Sequence, residues 1–321
     1  MRRLAVLLTS VSIALLSVAA IPAQAGVVPA RVHLNALPAS FLPTCTPQSA
    51  INRMVSYIRT QQQPDGSFPS IGQASTANAV NALVFSGVNP STVTRDGHSA
   101  IDWIYSQTGS LDSTGVAAEF LLALLLAGRS TVAPNGFDYT ARVANAYDPA
   151  TGLYDPNPTG NAYALIALRA AGRPVPPHAL SVWAGLQQAD GGWSAYIPQQ
   201  NSDTNTTAVA VIGLILSLRL GPIPSALAYF RTQQSADGGF TFSTFYGDTS
   251  DSNSTGLSIL ALLATGQNLV GWEKSGVDPV KRLLQLQDPS GAFRYSDDFP
   301  GDNAFATFQA GQAAGLTRCL P

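Results

Sequence analysis

The sequence predicts an all-α protein in which six helix hairpins close into one ring, an α6/α6 toroid. A unit of roughly 40 to 50 residues recurs along the chain, within the range of helical-pair repeats. Each unit joins an amphipathic helix to an apolar helix through a turn that contains glycine and an aromatic residue. The chain has 321 residues and 45% hydrophobic content, which is enough to bury a core of this size.

The glycine-aromatic turn is the clearest part of the repeat. Three copies follow a Gln-Gln pair and read Asp65-Gly66-Ser67-Phe68, Asp190-Gly191-Gly192-Trp193 and Asp237-Gly238-Gly239-Phe240. A looser copy is Ser290-Gly291-Ala292-Phe293, and two decayed copies keep Trp103, Gln107 and Gly109, or Gly152 and Tyr154. Glycine lets the chain turn sharply and lets backbones approach closely. We therefore expect the aromatic residue to fill the gap between adjacent hairpins.

The second helix of each repeat is rich in Ala, Gly, Ser and Thr, which suits the crowded inside of a ring. Six such helices are predicted, at 76–85, 114–127, 160–171, 206–218, 255–264 and 304–314. Most stop at a glycine that adopts the left-handed cap conformation cheaply: Gly87, Gly128, Gly172, Gly221, Gly266 and Gly315. An open solenoid is the competing architecture. The count of six and the position of the cysteines favour closure.

The two cysteines, Cys45 and Cys319, lie near the two ends of the repeat region. In a closed ring the chain ends meet, whereas in an open solenoid they lie far apart. We therefore predict a Cys45–Cys319 disulfide, which the chain-entropy model values on the order of 4 to 5 kcal/mol for so long a loop. Two isolated thiols without a nearby histidine make no metal site. No metal and no cofactor is predicted.

The first 25 residues have the features of a signal peptide. Arg2 and Arg3 precede an apolar run that begins at Leu4, and Ala23-Gln24-Ala25 is an A-x-A cleavage site. A retained membrane anchor is the alternative, but the run is short for a membrane span. We expect a secreted protein with no stable membrane span after cleavage. Its parts are a signal peptide (1–25), an extended or poorly ordered leader (26–44) and a toroid domain (45–321).

The unit of glutamine followed by Gly-x-Trp or Gly-x-Phe resembles the QW motif of squalene-hopene and oxidosqualene cyclases. The six-fold count resembles the α/α toroid of those cyclases, of protein prenyltransferase β-subunits, of complement-like thioester domains and of cobalamin carriers. The chain is also similar to secreted bacterial proteins with prenyltransferase/squalene oxidase repeats. The resemblance covers about residues 45 to 319. It implies the fold and no particular activity, because these motifs brace the scaffold.

The catalytic residues of these families have no full counterpart in the sequence. The nearest string to the Asp-x-Asp-Asp acid of class II cyclases is Tyr295-Ser296-Asp297-Asp298, which lacks the first aspartate. Prenyltransferases hold zinc with Asp, Cys and His, but the histidines here lie in different regions, at His33, His98 and His178. The Gly-Cys-Gly-Glu-Gln string of thioester domains is absent. None of the three chemistries is implied.

Glu119 is the candidate catalytic residue. It lies in an otherwise apolar helix of the predicted inner ring, and the only other glutamate is Glu273. Burial would raise the pKa of its carboxyl group and allow it to act as a general acid. The alternative is a structural carboxyl group that faces a wet cavity or pairs with an arginine or a helix N-terminus.

The pattern Asp-x-Asn-x-Thr precedes three inner helices and begins at Asp155, Asp203 and Asp251. Such residues cap helix N-termini, so serial capping explains the pattern. The alternative is a ring of oxygen donors and aromatic side chains at one mouth of the barrel, able to hold calcium or the hydroxyl groups of a sugar. One Asp per loop implies weak calcium binding at best. The predicted ligand-binding residues are Asp203, Asn205, Asp251, Asn253, Asp302, Tyr196, Tyr246 and Tyr295.

Two functional hypotheses follow. The first is a secreted, monomeric, non-catalytic binding module whose ligand is an extracellular glycan or an apolar small molecule. The second is an enzyme of terpene cyclase-like or glycan-acting type that uses Glu119 or a loop aspartate. A hydrolase would need a second carboxylate about 5 to 10 Å from the first. The net charge of -2 argues against a nucleic-acid partner.

Overall fold

The computed structural model describes residues 44–319, which are mainly helical. Twelve α-helices follow one another in these residues, together with a two-stranded hairpin of Thr94–Arg95 and His98–Ser99. The predicted signal peptide and most of the predicted leader lie outside the described residues. Within 44–319 we find no helix long and apolar enough to cross a membrane.

The helices alternate between an outer and an inner layer. The outer helices are α1 (Gln48–Gln61), α3 (Ala100–Ser106), α5 (Tyr139–Ala144), α7 (Pro177–Gly185), α9 (Ile223–Gln233) and α11 (Pro279–Gln285). The inner helices are α2 (Ala74–Phe85), α4 (Thr114–Leu126), α6 (Pro158–Ala170), α8 (Thr204–Leu216), α10 (Ser252–Ala264) and α12 (Ala304–Leu316). Each inner helix packs against the inner helices of its two neighbours, and α12 packs against α2. The predicted all-α toroid of six hairpins is confirmed.

The inner helices pack closely because small residues lie where they touch. A Cβ atom on Gly115 of α4 would lie 2.6 Å from the Cα of Gly160 on α6. A Cβ atom on Gly256 of α10 would lie 3.0 Å from the Cα of Ala310 on α12. A helix that is apolar or small on all sides is buried on all sides, and these helices accordingly form the core of the ring.

The first glycine of each clear turn docks on the backbone of the next repeat. Gly191 has a φ of 91°, and a Cβ atom there would lie 2.2 Å from the carbonyl oxygen of Ser225 at the start of α9. The same contact joins Gly66 to Ser99, Gly238 to Val277 and Gly291 to Arg53. Because Arg53 belongs to α1, the last repeat docks on the first in the way that other repeats dock on their successors.

The glutamine four residues before that glycine bridges the same two repeats. Gln187 Nε2 donates hydrogen bonds of 2.9 Å to the carbonyl oxygens of Gly191 and Pro222. The corresponding pairs of acceptors are Gly66 and Val93 for Gln62, Gly238 and Trp272 for Gln234, and Gly291 and Ala50 for Gln287. The QW-like unit is therefore a hydrogen-bonded clamp between repeats.

A threonine in the first turns of the inner helix holds the aromatic residue of the turn. The backbone N–H of Trp193 donates to Thr207 Oγ1 at 2.9 Å. The same bond joins Phe68 to Thr76, Phe240 to Thr255 and Phe293 to Thr307, and Tyr154 donates to Asn161 in the third repeat. The aromatic rings are buried between hairpins, as the sequence predicts.

The chain ends meet, and the predicted disulfide between Cys45 and Cys319 is confirmed, with 4.9 Å between the Cα atoms. Beside it, the N–H of Thr46 donates to the carbonyl oxygen of Thr317, and the N–H of Cys319 donates to that of Thr46, both at 2.8 Å. Covalent and backbone contacts therefore close the ring at one place.

Two predicted helix ends are wrong. The chain leaves α8 at Leu218, which takes the left-handed conformation with a φ of 57°, and Gly221 lies beyond it. Gly315 lies inside α12, where a Cβ atom would collide with the backbone of Phe85, so this glycine serves packing and not capping.

Substitution of Gly291 by alanine tests the docking contact at the closing repeat. Gly276 is the matched control, because its φ of 77° is also left-handed and a Cβ atom there would meet nothing within 4 Å. We expect Gly276→Ala to cost about 1 kcal/mol in backbone strain. Gly291→Ala should cost about 1 to 3 kcal/mol more, because the methyl group must displace a backbone carbonyl. Equal losses in denaturant unfolding would exclude an essential contact.

Removal of the disulfide tests how far it stabilises the closed ring. We expect the double variant Cys45→Ser and Cys319→Ser to stay folded, because the backbone bonds at Thr46 remain. Its free energy of unfolding should fall by about 2 to 5 kcal/mol, since the unfolded chain regains loop entropy. Circular dichroism and denaturant unfolding measure both quantities. An unchanged midpoint would contradict this prediction.

Candidate ligand site in the lumen

Side chains from all six inner helices enclose a cavity inside the ring, which we call the lumen. It has two adjoining parts, since Tyr163, Val209 and Leu257 line both. The N-terminal parts of the inner helices line a cavity of about 320 Å³, the polar chamber. Their C-terminal parts line one of about 120 Å³, the apolar chamber. The six inner helices therefore run in the same direction.

The two chambers differ in chemistry. The polar chamber is lined by Ile71, Ala74, Asn78, Glu119, Thr159, Tyr163, Ala195, Asp203, Asn205, Thr206, Val209, Phe242, Leu257, Phe305 and Gln309. The apolar chamber is lined by Asn81, Phe85, Leu122, Leu126, Tyr163, Ile166, Val209, Ile212, Leu257, Leu260, Ala264, Gln312 and Leu316. Ile71 is 66% exposed, so the polar chamber reaches the protein surface beside it.

Glu119 lies on the polar chamber. Its Oε2 accepts a hydrogen bond of 3.2 Å from Asn78 Nδ2, and Asn78 Oδ1 accepts one of 2.8 Å from Gln312 Nε2. Burial raises the pKa of Glu119 to about 8, and the bond from Asn78 only partly opposes this effect. The carboxyl group is therefore largely protonated at neutral pH. Within residues 44–319 it forms no ion pair with an arginine.

Asp203 lines the same chamber as Glu119, from the N-terminus of α8. Its Oδ1 accepts the N–H of Thr206 at 2.7 Å, and its Oδ2 accepts the N–H of Ala195 at 3.1 Å. Burial raises the pKa of Asp203 to about 6, against the effect of these bonds. Both carboxylate oxygens are thus held by backbone, which fixes this residue as a helix cap.

The other predicted polar residues also have structural partners. Asp251 caps α10 by accepting from the N–H and the hydroxyl group of Ser254, both at 2.7 Å, and burial raises its pKa to about 6. Asn253 Nδ2 donates to Gln309 Oε1 at 2.7 Å. The Oδ1 of exposed Asp302 accepts from the hydroxyl group of Ser290 at 2.6 Å. Capping and loop bracing account for these contacts, and ligand binding by these residues remains a prediction.

Asn205 is different. It lines the polar chamber in the second position of α8, whereas Asn253 does not line this chamber. Its Oδ1 is buried without a hydrogen-bond partner among the described residues, as are the Oδ1 atoms of Asn253 and of Asn81 on the apolar chamber. A buried acceptor without a partner is unfavourable unless water or a ligand satisfies it. Of the eight predicted ligand-binding residues, Asp203 and Asn205 are the two that line the lumen.

The predicted tyrosines lie on the loops at the same end of the ring. Tyr196 is 57% and Tyr246 67% exposed, whereas Tyr295 is half-buried. Burial, and then the charge of Asp251, raise the pKa of Tyr295 to about 12. Phe245 packs edge-on against Tyr246 with 5.1 Å between ring centroids. These loops form an exposed aromatic rim, and their role in binding stays a prediction.

Comparison with known proteins finds similarity in structure and none in sequence. No protein-family model matches the chain, and no curated protein matches it in sequence. The type II terpene cyclase MstE from Scytonema, in its apo form, superposes with a TM-score of 0.60 at 15% identity, covering 83% of this chain and 96% of that one. Candida albicans protein geranylgeranyltransferase-I, complexed with GGPP, superposes with a TM-score of 0.57 at 14% identity, covering 83% and 90%.

The chain has the α/α-toroid fold that these two structures, a terpene cyclase and a protein prenyltransferase, also have. A variant of MstE with one arginine replaced by alanine has been solved with the substrate geranylgeranyl dihydroxybenzoate. That structure superposes with a TM-score of 0.59 at 13% identity, covering 84% of this chain and 96% of that one. Identities this low show the fold alone.

The residues that line the lumen recur at one regular spacing along the inner helices, and this pattern was not identified from the sequence. They recur at i, i+3 and i+7 on several inner helices: Asn78, Asn81 and Phe85; Glu119, Leu122 and Leu126; Leu257, Leu260 and Ala264; Gln309, Gln312 and Leu316. This spacing keeps residues on one helix face. Alignment of the six inner helices on that spacing would have placed Asn78 and Gln312 beside Glu119.

The raised pKa values predict how stability depends on pH. The folded pKa values of about 8 for Glu119 and about 6 for Asp203 and Asp251 exceed those of the unfolded chain. Such groups stabilise the fold fully below their unfolded pKa, and the contribution is lost as pH rises through the folded pKa. The free energy of unfolding should therefore fall from about pH 5 to about pH 8.5, with Glu119 responsible for the upper part.

Glu119→Gln isolates that upper part. One pKa unit corresponds to about 1.4 kcal/mol, and water in the lumen weakens the effect, so we expect wild type to lose about 1 to 3 kcal/mol through Glu119. The variant should lose little above about pH 6.5. The control is Glu273→Gln, because Glu273 is exposed. Denaturant unfolding across this range measures the difference, and parallel profiles for Glu119→Gln and wild type would refute it.

Proposed function

We propose that the protein is an exported binding protein that holds one elongated, mainly apolar small molecule in the lumen. One observation carries the proposal: a polar chamber and an apolar chamber lie next to each other inside the ring. Small-molecule sites are typically concave and mainly apolar, with a few polar groups that orient the ligand. The lumen has this composition.

The shape of the lumen favours a chain-like ligand. Five of the six inner helices have 13 residues, and a helix of that size is about 20 Å long. The bound molecules of the structural neighbours, geranylgeranyl dihydroxybenzoate and GGPP, are isoprenoids. They support isoprenoids as the first ligand class to test.

Export is supported by the disulfide and by the predicted signal peptide. Disulfides persist in oxidising compartments and are rare in the cytosol. The bond between Cys45 and Cys319 joins the two ends of the folded ring. We therefore infer that the mature protein meets its ligand outside the cytosol.

A second candidate function is acid catalysis of a terpene cyclase-like reaction. The protonated carboxyl group of Glu119 on the polar chamber favours it. Proton transfer to an alkene carbon would leave a carbocation on the substrate and a carboxylate on Glu119. A carboxyl group with a raised pKa is a weak acid, and the transfer would create a buried carboxylate without a cation. Binding without turnover is therefore the function that the geometry supports best.

Titration of the mature protein with geranylgeraniol tests the proposal. We expect saturable binding of one molecule per chain, measured by calorimetry or native mass spectrometry. Ile212→Trp should weaken binding by about tenfold or more, because the larger ring fills the apolar chamber. Leu220→Trp is the matched control, since Leu220 is exposed and does not line the lumen.

The other candidates give different results in the same experiment. A cyclised product that disappears in Glu119→Gln would establish the enzyme. Binding to oligosaccharides on a glycan array, with no affinity for the isoprenoid, would favour the aromatic rim. Equal affinity of Ile212→Trp and wild type would place the isoprenoid outside the lumen.

A further inference from the structure

The structure assigns a headgroup preference to the lumen: we infer that Glu119 and Asn205 select a neutral hydroxyl headgroup and that the polar chamber rejects the phosphate ester of the same chain. This inference rests on the proposed function, because it concerns which end of the apolar ligand lies in the polar chamber. Three observations carry it: a fixed hydrogen-bond relay, an unpaired acceptor and the charges of the lining residues.

The relay fixes the orientation of Glu119. Asn78 Nδ2 donates to both Glu119 Oε2 and the carbonyl oxygen of Ala74, and Asn78 Oδ1 accepts from Gln312. Both N–H bonds of the Asn78 amide are thus used, and the bond from Gln312 to its oxygen fixes the orientation of the amide group. Asn78 therefore acts as a positioning residue, while the second carboxyl oxygen of Glu119 remains for a ligand.

A hydroxyl headgroup matches what the chamber offers. The protonated carboxyl group of Glu119 donates one hydrogen bond, and a hydroxyl group both accepts and donates. Asn205 Oδ1 is a buried acceptor without a partner in the described part of the chain. A hydroxyl group in the chamber can therefore accept from Glu119 and donate to Asn205 or to a water held there.

The lining charges oppose an anion. No Lys, Arg or His is among the described residues that line either chamber. Asp203 already places a carboxylate on the polar chamber, and Asp251 caps the neighbouring helix. The N–H groups at these helix ends are bonded to Asp203 and Asp251 and are not free to bind phosphate. A phosphate or diphosphate in the polar chamber would meet the carboxylate of Asp203 and no cationic side chain. The helix N-termini supply only partial positive charge, and Asp203 and Asp251 already occupy two of them, so binding of the anion is unfavourable.

A set of ligands with one tail and different headgroups tests the inference. The probes are geranylgeraniol, its diphosphate, the corresponding amine and the isoprenoid hydrocarbon of the same length. At neutral pH we expect the alcohol to bind about tenfold more tightly than the hydrocarbon, because one or two hydrogen bonds are added. The diphosphate should bind at least about tenfold more weakly than the alcohol.

Glu119→Leu should remove the advantage of the alcohol over the hydrocarbon and leave the affinity for the hydrocarbon within about threefold of wild type. Glu119→Gln, which keeps a neutral donor and acceptor, should retain most of the advantage. Glu273→Leu is the control at an exposed glutamate. The difference between the two ligands cancels any general loss of stability in a variant, and circular dichroism confirms that each variant is folded.

The outcomes separate this inference from the proposed function. If alcohol and hydrocarbon bind equally to wild type and Ile212→Trp weakens both, lumen binding stands and the headgroup inference fails. Tighter binding of the diphosphate or of the amine than of the alcohol also overturns it. If no probe binds, the proposed function itself fails.

Discussion

The contact between each glycine turn and the backbone of the next repeat is the constraint on which this structure depends. A single helix hairpin cannot bury its apolar face, so each repeat is stable only against its neighbours. Gly191 and Gln187 show how the neighbour is held: the glycine leaves room for a carbonyl oxygen, and the glutamine bonds to carbonyl oxygens of both repeats. Gly291 and Gln287 apply the same contact from the last repeat to the first. The ring therefore closes through the same contact that joins each repeat to the next, and the disulfide strengthens this closure.

The chemistry of the lumen follows from the direction of the inner helices. All six run the same way, so their polar capping residues meet at one end and their apolar C-terminal turns meet at the other. Asp203 caps α8 and also lines the polar chamber, whereas Ile212, nine residues further along the chain, lines the apolar chamber. Helix capping contributes Asp203 alone to the lining of the polar chamber, because the capping residues of the other inner helices do not line it. Glu119 and Asn78 add to it polar groups that capping does not require.

Glu119 is the residue at which the stability of the ring and the proposed function meet. A carboxyl group in a helix of the inner ring is unfavourable when ionised, and hydrophobic residues occupy the neighbouring positions Leu122 and Leu126 of the same face. Asn78 and Gln312, from two other helices, form a hydrogen-bonded relay to it. Residues that break the local pattern of a core without stabilising it are often those that serve a site. The relay is the part of this toroid that packing alone does not explain.

The sequence by itself determined the repeat, the closed ring, the disulfide and the caps of α8 and α10. It did not determine the cap of α6, which is Asn157, because Asp155 Oδ2 accepts the N–H of Gly115 on α4 at 2.7 Å instead. The correct predictions rest on local chemistry or on counting: Gly291 takes a left-handed turn, Asp203 and Asp251 cap helices, and Cys45 and Cys319 flank six repeats. Four of the predicted inner helices begin two or three residues late, because the first residues of these helices are mostly polar or proline and resemble loop sequence.

Only the tertiary structure decided which polar residues face the lumen. Asp251 and Asp302 looked equivalent to Asp203 in the sequence, yet Asp203 alone of the three lines the polar chamber, and Asn78 and Gln312 carried no motif. The physical reason is that an inner helix is apolar or small on every side. Its periodicity therefore does not indicate which face points at the neighbours and which at the axis. The rotation of each inner helix about its own axis is set by its contacts in the closed ring. These contacts depend on all six repeats together.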